Sequence, residues 1–252
     1  MRRSALCAGL LLGTLGLFAG CSAHKKEDPL LRLSAEESLV EGRRLYELKK
    51  YGQARPYFTH AFEVEPNSAS GREALLLAAD SLFLDGGEAN FLQAEARYRD
   101  FQNRFPTSDR AAYVQLQIAR SLVERMERPD RDQKVTRQAR EAIEELLRTY
   151  PSSPEAERAQ PDLARVLDHL AEHEHSVGSF YLRFGLALSA VPRFETVLRQ
   201  YPDYSRMDQL LFELSTAQRK IKKVAEADQT LARLREEFPQ SPWTRKAEKQ
   251  KG

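Results

Sequence analysis

Residues 190–202 read AVPRFETVLRQYP, and the same arrangement of residue types recurs four more times along the chain. In each copy an alanine lies twelve residues before a proline, a large residue follows the alanine by four positions, and a second apolar residue follows three positions later. Positions i, i+4 and i+7 lie on one stripe of an α-helix, and proline cannot continue that helix. A residue spacing that recurs in this way indicates an array of helical repeats, in which the neighbouring units bury the apolar face of each helix. The other copies are 54–66 (ARPYFTHAFEVEP), 94–106 (AEARYRDFQNRFP), 139–151 (AREAIEELLRTYP) and 227–239 (ADQTLARLREEFP).

The pattern predicts an all-α fold, a right-handed superhelical solenoid of five tetratricopeptide-like helix pairs. Successive repeat prolines are 40, 45, 51 and 37 residues apart, longer than the tetratricopeptide period of about 34, so the first helix of a pair or the loops must vary. The constant half, from alanine to proline, is the second helix of each pair. The predicted units are 34–66, 67–106, 107–151, 152–202 and 203–239, followed by a basic C-terminal cap at 240–252.

Helix ends can also be predicted from local signals. Ser108, Ser153 and Ser241 follow the repeat prolines at positions where the next helix needs an N-cap for its unpaired amides. Pro161 lies within the predicted long helix 154–184 and is expected to start or kink it. The other predicted helices are 34–49, 52–64, 69–85, 89–104, 109–126, 134–149, 187–200, 205–221 and 224–237.

The N-terminus has the layout of an export signal, with two arginines before an uncharged apolar stretch too short to span a bilayer. That stretch runs into Ala19-Gly20-Cys21, which resembles a bacterial lipobox. We therefore expect residues 1–20 to be a signal peptide and Cys21 to carry a diacylglycerol and an N-acyl chain, together a stable membrane anchor. Residues 21–33 would be a tether. Ser22 lacks the aspartate linked to inner-membrane retention, so the resemblance implies the periplasmic face of the outer membrane. The alternative is an ordinary signal peptide with an incidental cysteine.

Composition agrees with a lipid-anchored helical body. The 39 Lys and Arg residues nearly balance the 37 Asp and Glu residues, so the net charge of +2 gives no argument for nucleic-acid binding. Charged residues make up 30% of the chain, which suits solvated helix faces without a second membrane span. Cys7 and Cys21 are the two cysteines, so a mature chain with a lipidated Cys21 has no thiol for a disulfide.

One segment matches a catalytic motif by its letters alone. His169-Leu-Ala-Glu-His173 has the H-x-x-E-H zinc pattern, with His175 nearby. A metal site also needs a third ligand and an orienting second shell. The segment is the middle of a repeat helix, and its apolar stripe should leave the histidines mostly on the polar side. We predict no metal, no cofactor other than the lipid and no catalytic residue.

Several runs resemble the BamD (ComL-like) family of outer-membrane assembly lipoproteins at unchanged spacing. They are 130–133 (DRDQ), 146–153 (LLRTYPSS), 170–174 (LAEHE), 177–181 (VGSFY) and 192–203 (PRFETVLRQYPD). The resemblance departs from the family pattern at His173, Gly178 and Pro192, where the family prefers tyrosine, alanine and asparagine.

This resemblance implies a non-catalytic scaffold subunit of the β-barrel assembly (BAM) machine. The expected partners are the periplasmic POTRA domains of the barrel subunit, other BAM lipoproteins, and unfolded outer-membrane proteins received by the N-terminal repeats. The family's contact arginine corresponds to Arg193, with Glu195 and Arg199 expected further along the same face. The alternative for Arg193 is a pair within the chain, with Glu195 or with a neighbouring helix. The alternative for the whole protein is a generic tetratricopeptide envelope lipoprotein that coordinates cell-wall or division machinery.

Overall fold

A computed structural model describes residues 28–249, which fold into consecutive α-helices with no strand among them. All ten predicted main helices are present, and their ends lie within about three residues of the predicted positions. The all-α prediction is confirmed. The helices are α1 (Ala35–Glu47), α2 (Tyr51–Val64), α3 (Ala69–Asp85), α4 (Glu88–Arg104), α5 (Ala111–Val123), α6 (Lys134–Thr149), α7 (Pro154–Arg183), α8 (Ala187–Gln200), α9 (Met207–Lys220), α10 (Val224–Glu237) and α11 (Pro242–Lys249).

The helices stack in chain order, as a solenoid requires. Each helix from α1 to α10 packs against the next one along the chain, and α11 packs against both α9 and α10. The first helices of the pairs also touch one another, α1 with α3, α5 with α7 and α7 with α9. Every unit contacts mainly its neighbours. The buried apolar side chains form two clusters, one between α1, α2 and the first half of α3 and a larger one that extends from α3 to α11.

The repeat alanines lie in the core between the helices. Ala54, Ala94, Ala139, Ala190 and Ala227 are all completely buried, which confirms the predicted register. In the first and fourth units the opposite helix carries a glycine, which the pattern did not predict. A Cβ added at Gly42 would lie 2.6 Å from the Phe58 ring, and one at Gly178 would lie 2.5 Å from the Phe194 ring.

Caps and turns explain most helix ends, with two corrections. The Ser153 hydroxyl accepts from the Ala156 amide at 3.1 Å, and that of Ser241 accepts from the Trp243 amide at 3.0 Å, so both act as predicted. The prediction for Ser108 is wrong: α5 begins three residues later, because the Ser108 carbonyl and hydroxyl hold a turn that ends at Ala111. Of the two expectations for Pro161, a helix start is wrong, because α7 runs through this residue from Pro154, and a kink stays a prediction.

Part of the predicted tether is structured. Residues Pro29–Arg32 form a short 3₁₀ helix, and His60 of α2 donates from Nε2 to the Leu33 carbonyl at 3.0 Å. This contact fixes the chain on the first unit immediately before α1. Residues 21–27 of the predicted tether, including Cys21, lie outside the described residues.

Candidate partner-binding surfaces

Arg193 lies in the second turn of α8, directly before the completely buried Phe194. A regular helix advances about 100° per residue, so the side chain leaves the core stripe at its edge. Its Nη1 donates to Glu174 Oε2 of α7 at 2.9 Å, and 44% of the side chain remains exposed. Both expectations for Arg193 therefore hold in part: the side chain is partly exposed, as the resemblance implies, and it also pairs with a neighbouring helix of the same chain.

Glu195 and Arg199 are exposed, but they do not share a face with Arg193. Two residues along a helix correspond to about 200°, which places Glu195 on the other side of α8 from Arg193. Consistent with this, Glu195 adds to the effect of Glu226 in raising the pKa of Lys223, which precedes α10. Six residues, from Arg193 to Arg199, also end about 120° away. The expectation that the three residues form one face is wrong.

An exposed apolar patch lies on the same helix pair, at the turn between α7 and α8. Phe180 and Phe184 are 50% and 64% exposed, and their ring centroids are 4.6 Å apart. Leu186 and Leu188 follow them and are also exposed. Exposed apolar clusters of this kind mark contact surfaces more often than isolated exposed residues do. The repeat pattern did not indicate this patch, because Phe180, Phe184, Leu186 and Leu188 lie outside the alanine-to-proline segments that define the repeat.

A cleft of about 340 Å³ in the second unit contains a buried carboxylate. Asp80 of α3 accepts hydrogen bonds from the hydroxyls of Tyr98 at 2.7 Å and Tyr113 at 2.8 Å. Burial raises the pKa of Asp80, and the two tyrosines offset this only in part. Arg72 and Arg110 also line the cleft, and neither guanidinium forms a salt bridge within residues 28–249. The signal in the sequence was Asp80 itself, the one charged residue in the run 74–84.

The histidines of the zinc-like motif bind backbone instead. His169 and His173 donate to the carbonyls of Glu127 and Pro129, which lie in the loop between α5 and α6. His175 is 1% exposed, so the expectation of a polar position is wrong for this residue. Nowhere in the described part of the chain do three or more His, Cys, Asp or Glu side chains form a group that could hold a metal ion.

Cys21 lies outside the described residues, so its lipidation stays a prediction. Among residues 28–249, no helix combines the length and apolar character needed to cross a membrane.

The fold defines the class of the protein: it is a helical-repeat solenoid with a cleft around Asp80 and an exposed aromatic patch. Residues 33–230 match the YfiO family, described as "Outer membrane lipoprotein", and the chain belongs to this family. The chain is 27% identical over 243 residues to the Rickettsia prowazekii protein named "Outer membrane protein assembly factor BamD", covering 96% of this chain and 95% of that protein. It is also 27% identical over 230 residues to the Caulobacter vibrioides protein of the same name, covering 89% and 73%.

Two solved structures align with the chain at low sequence identity. The structure "TPR2AB-domain:pHSP90-complex of yeast Sti1" aligns with a TM-score of 0.44 and 14% identity, over 83% of this chain and 80% of that one. The structure "Crystal structure of MamA protein" aligns with a TM-score of 0.36 and 13% identity, over 80% and 90%.

Proposed function

We propose that this chain is an outer-membrane protein assembly factor, a non-catalytic lipoprotein scaffold that docks on the POTRA domains of the barrel subunit through its fourth unit. Family membership supports assembly as the process. The observation that carries the docking surface is the half-exposed Arg193 on the same helix pair as the exposed rings of Phe180 and Phe184. Arginine and aromatic side chains are the residue types enriched at energetic centres of interfaces.

The pair between Arg193 and Glu174 is compatible with docking. The Arg193 guanidinium has further N–H donors. Because solvent screens an exposed ion pair, the pair with Glu174 contributes little to the stability of the free protein. A partner carboxylate could bind those remaining donors in bidentate fashion, and removal of water on docking would strengthen the interaction. The apolar patch at the turn between α7 and α8 would add apolar area to the contact of this unit. Glu195 and Arg199 have no place in this surface, because they lie on other sides of α8.

The test is the affinity of the purified chain for the POTRA domains of the barrel subunit from the same organism. Arg193→Ala should weaken binding by about 30-fold, which corresponds to about 2 kcal/mol and is typical of an interface hot spot. Arg193→Glu should weaken it further. Arg199→Ala is the matched control, since it removes the same charge from the same helix on another side. Normal binding by Arg193→Ala, or an equal loss in the control, would contradict the docking surface.

The cleft around Asp80 supports reception of unfolded substrates by the N-terminal repeats. Arg72 donates to the Asn67 carbonyl, and Arg110 stacks over Tyr113 at 4.6 Å. Neither forms a salt bridge within residues 28–249, although the charge of Arg110 acts on Asp80 and lowers its pKa. Phe101 and Leu76 add an apolar wall. This combination fits the terminal carboxylate and apolar side chains at the end of a β-barrel strand.

A peptide from the C-terminal strand of an outer-membrane protein tests this part of the proposal. Its binding should weaken by about tenfold when the terminal carboxylate is amidated or when Arg72 and Arg110 are both replaced by Gln, because an ion pair is then lost. Equal binding by the amidated peptide would contradict the assignment.

The proposed anchor is the lipid on Cys21, and the resemblance of Ala19-Gly20-Cys21 to a lipobox supports it. Cys21→Ala should therefore give an unanchored or uncleaved protein in membrane fractionation, whereas Cys7→Ala, inside the proposed signal peptide, should leave the anchored form unchanged. Wild-type mature protein recovered entirely from the aqueous fraction would exclude the lipoprotein assignment.

A further inference from the structure

A buried histidine lies between the fourth unit and the fifth. His175 of α7 is 1% exposed, and its Nδ1 lies 2.8 Å from the hydroxyl oxygen of Tyr204, in the turn before α9. Tyr204 has one hydroxyl proton and donates it to Glu172, so Nδ1 of His175 must be a donor. Burial and the neighbouring Glu172 raise the pKa of Tyr204, which therefore keeps this proton. One ring nitrogen thus has a constant role.

The other ring nitrogen faces a carboxylate. Nε2 of His175 lies 3.5 Å from Oε2 of Glu213, on α9, and has no hydrogen-bond partner within residues 28–249. In the neutral ring Nε2 carries a lone pair, so two acceptors then face each other in a buried place, an arrangement that is rare in folded proteins. A proton on Nε2 converts the same contact into an N–H donor facing a carboxylate, which is an ion pair. The contact therefore has a place for one proton.

Glu213 stays charged over the pH range in which histidines titrate. Burial raises its pKa, but the contact with a protonated His175 and the hydrogen bonds from Gln209 and Ser179 lower it to about 2. Gln209 donates to Oε1 at 2.7 Å, and Ser179 donates to Oε2. Histidine is the side chain whose charge ordinarily changes between about pH 5 and pH 8. A change of pH in that range therefore alters this contact through the imidazole alone.

The other charged groups around the imidazole leave this contact to the carboxylate of α9. Four of them line a cleft of about 480 Å³ beside the ring: Glu172, Arg183, Arg206 and Lys246. Glu172 pairs with Arg206, whose Nη1 lies 2.6 Å from Oε1. Arg183 and Lys246 are exposed, so solvent screens their charges. From α8 the ring meets only the uncharged Phe194, at 5.7 Å between ring centroids.

We propose that His175 and Glu213 form a proton-dependent latch between the fourth and fifth units. A proton on Nε2 closes the latch, because an ion pair shielded from water then joins α7 to α9. Loss of the proton opens it, because an acceptor then faces the carboxylate. By linkage, the contribution of the closed latch is present at acidic pH and is lost as the pH rises. Acidic surroundings should thus hold α9, α10 and α11 more firmly on the rest of the solenoid.

Trp243 provides a direct probe, because it is the one tryptophan of the chain. Its ring centroid lies 5.2 Å from that of Phe212, the residue next to Glu213. In the full-length chain, the indole N–H resonance should move in one step between about pH 8 and pH 5. The step should be absent in His175→Gln. In Glu213→Gln it should occur at lower pH, because removal of the negative charge disfavours the protonated ring.

His169→Gln is the matched control. It removes a histidine from the same helix, but this residue contacts only the Glu127 carbonyl and lies on the exposed side. The step in the Trp243 resonance should be unchanged in this variant, which also shows that loss of a histidine from α7 does not by itself abolish it.

Amide hydrogen exchange measures the effect on the fifth unit. The protection factors of amides in α9 and α10 are divided by those in α1 to α4 of the same sample, so that a pH effect on the whole fold cancels. This ratio should increase by about fivefold from pH 8 to pH 6 in the wild type. It should stay constant in Glu213→Gln, which keeps a hydrogen-bonding side chain but cannot form the ion pair.

The proposal is overturned if the Trp243 resonance shows no step that is lost with His175. It is equally overturned if the step in Glu213→Gln occurs at the wild-type pH, or if the protection ratio changes as much in that variant as in the wild type. Should His175→Gln fail to fold, the comparison of Glu213→Gln with the wild type decides alone. The latch is independent of the docking proposed for Arg193, so Arg193→Ala should leave the step unchanged.

Discussion

Asp80 in the second unit and Glu213 in the fifth are both carboxylates on the first helix of a pair, yet their environments shift their pKa values in opposite directions. Burial raises the pKa of Asp80, which accepts two bonds from neutral tyrosine hydroxyls. Burial would also raise the pKa of Glu213, but the neighbouring His175 and the hydrogen bonds from Gln209 and Ser179 lower it to about 2. The difference lies in the number and kind of donors that reach each group.

This comparison shows that the repeat determines where a side chain is buried but not its charge. The position four residues after the repeat alanine is buried in every unit, and it is Phe58 in the first, Tyr98 in the second and Phe194 in the fourth. Only the hydroxyl of Tyr98 meets a carboxylate. The environments of the two carboxylates therefore differ electrostatically: Glu213 keeps its negative charge at neutral pH, whereas ionisation of Asp80 is penalised.

The largest effect should follow from Glu213→Gln. A pKa lowered from 4.5 to about 2 means that the carboxylate stabilises the fold above pH 4.5 and loses this contribution as pH falls towards 2. The contribution is of the order of 3 kcal/mol. Urea unfolding at pH 7 should show a loss of about that size in the variant, shrinking at pH 3. A loss that does not depend on pH would contradict the charge-based account.

A smaller effect should follow from Tyr98→Phe. Phenylalanine fits this repeat position, as the first and fourth units show, so the change removes a hydroxyl without creating a large cavity. Asp80 then keeps only the bond from Tyr113, and the free energy of unfolding should fall by about 1–2 kcal/mol. Tyr150→Phe is the control, since that hydroxyl has no hydrogen-bond partner in the described chain. Equal losses in both variants would show that the Asp80 contact contributes nothing.

The smallest effect, of about 1 kcal/mol or less, should come from Asp80→Asn, and its sign is opposite to that of Glu213→Gln. A raised pKa means that the folded state binds the proton more tightly, so ionisation of Asp80 lowers stability as pH rises above its ordinary value. Asparagine can still accept from both tyrosines. The stability of the variant relative to the wild type should thus increase between pH 4 and pH 7, with the exposed Asp203→Asn as control. A decrease over that range would refute the assigned direction.

The fold could be predicted from the sequence because the repeat depends on residues a few positions apart. The spacing of alanine, large residue and proline specifies one helix and its end, and five copies specify the array. Ser108 shows the limit of this reasoning, since the turn held by its own carbonyl and hydroxyl delays α5. Gly178 shows a second limit. The glycine in place of the family alanine is explained only by the structure, in which the Phe194 ring packs directly against this position.

The candidate sites were less predictable, because their contacts join residues far apart in the chain. Arg193 was found through a family resemblance, but its pair with Glu174 crosses between helices. The spacing of the histidines within α7 matches a metal motif. That spacing gives no information on the loop before α6, whose carbonyls accept from His169 and His173. The same loop explains part of the DRDQ run at 130–133, because the buried Gln133 donates to the carbonyls of Arg128 and Arg131 and shapes the loop.

The central claim is that the chain works in outer-membrane protein assembly, and its native partners test this most directly. The full-length chain should be purified with an affinity tag from detergent-solubilised membranes of its own organism, and the proteins that accompany it identified by mass spectrometry. We expect the barrel-assembly subunit with its POTRA domains in the wild-type sample and its depletion in Arg193→Glu. Recovery of cell-wall or division proteins in place of the barrel subunit would contradict the account.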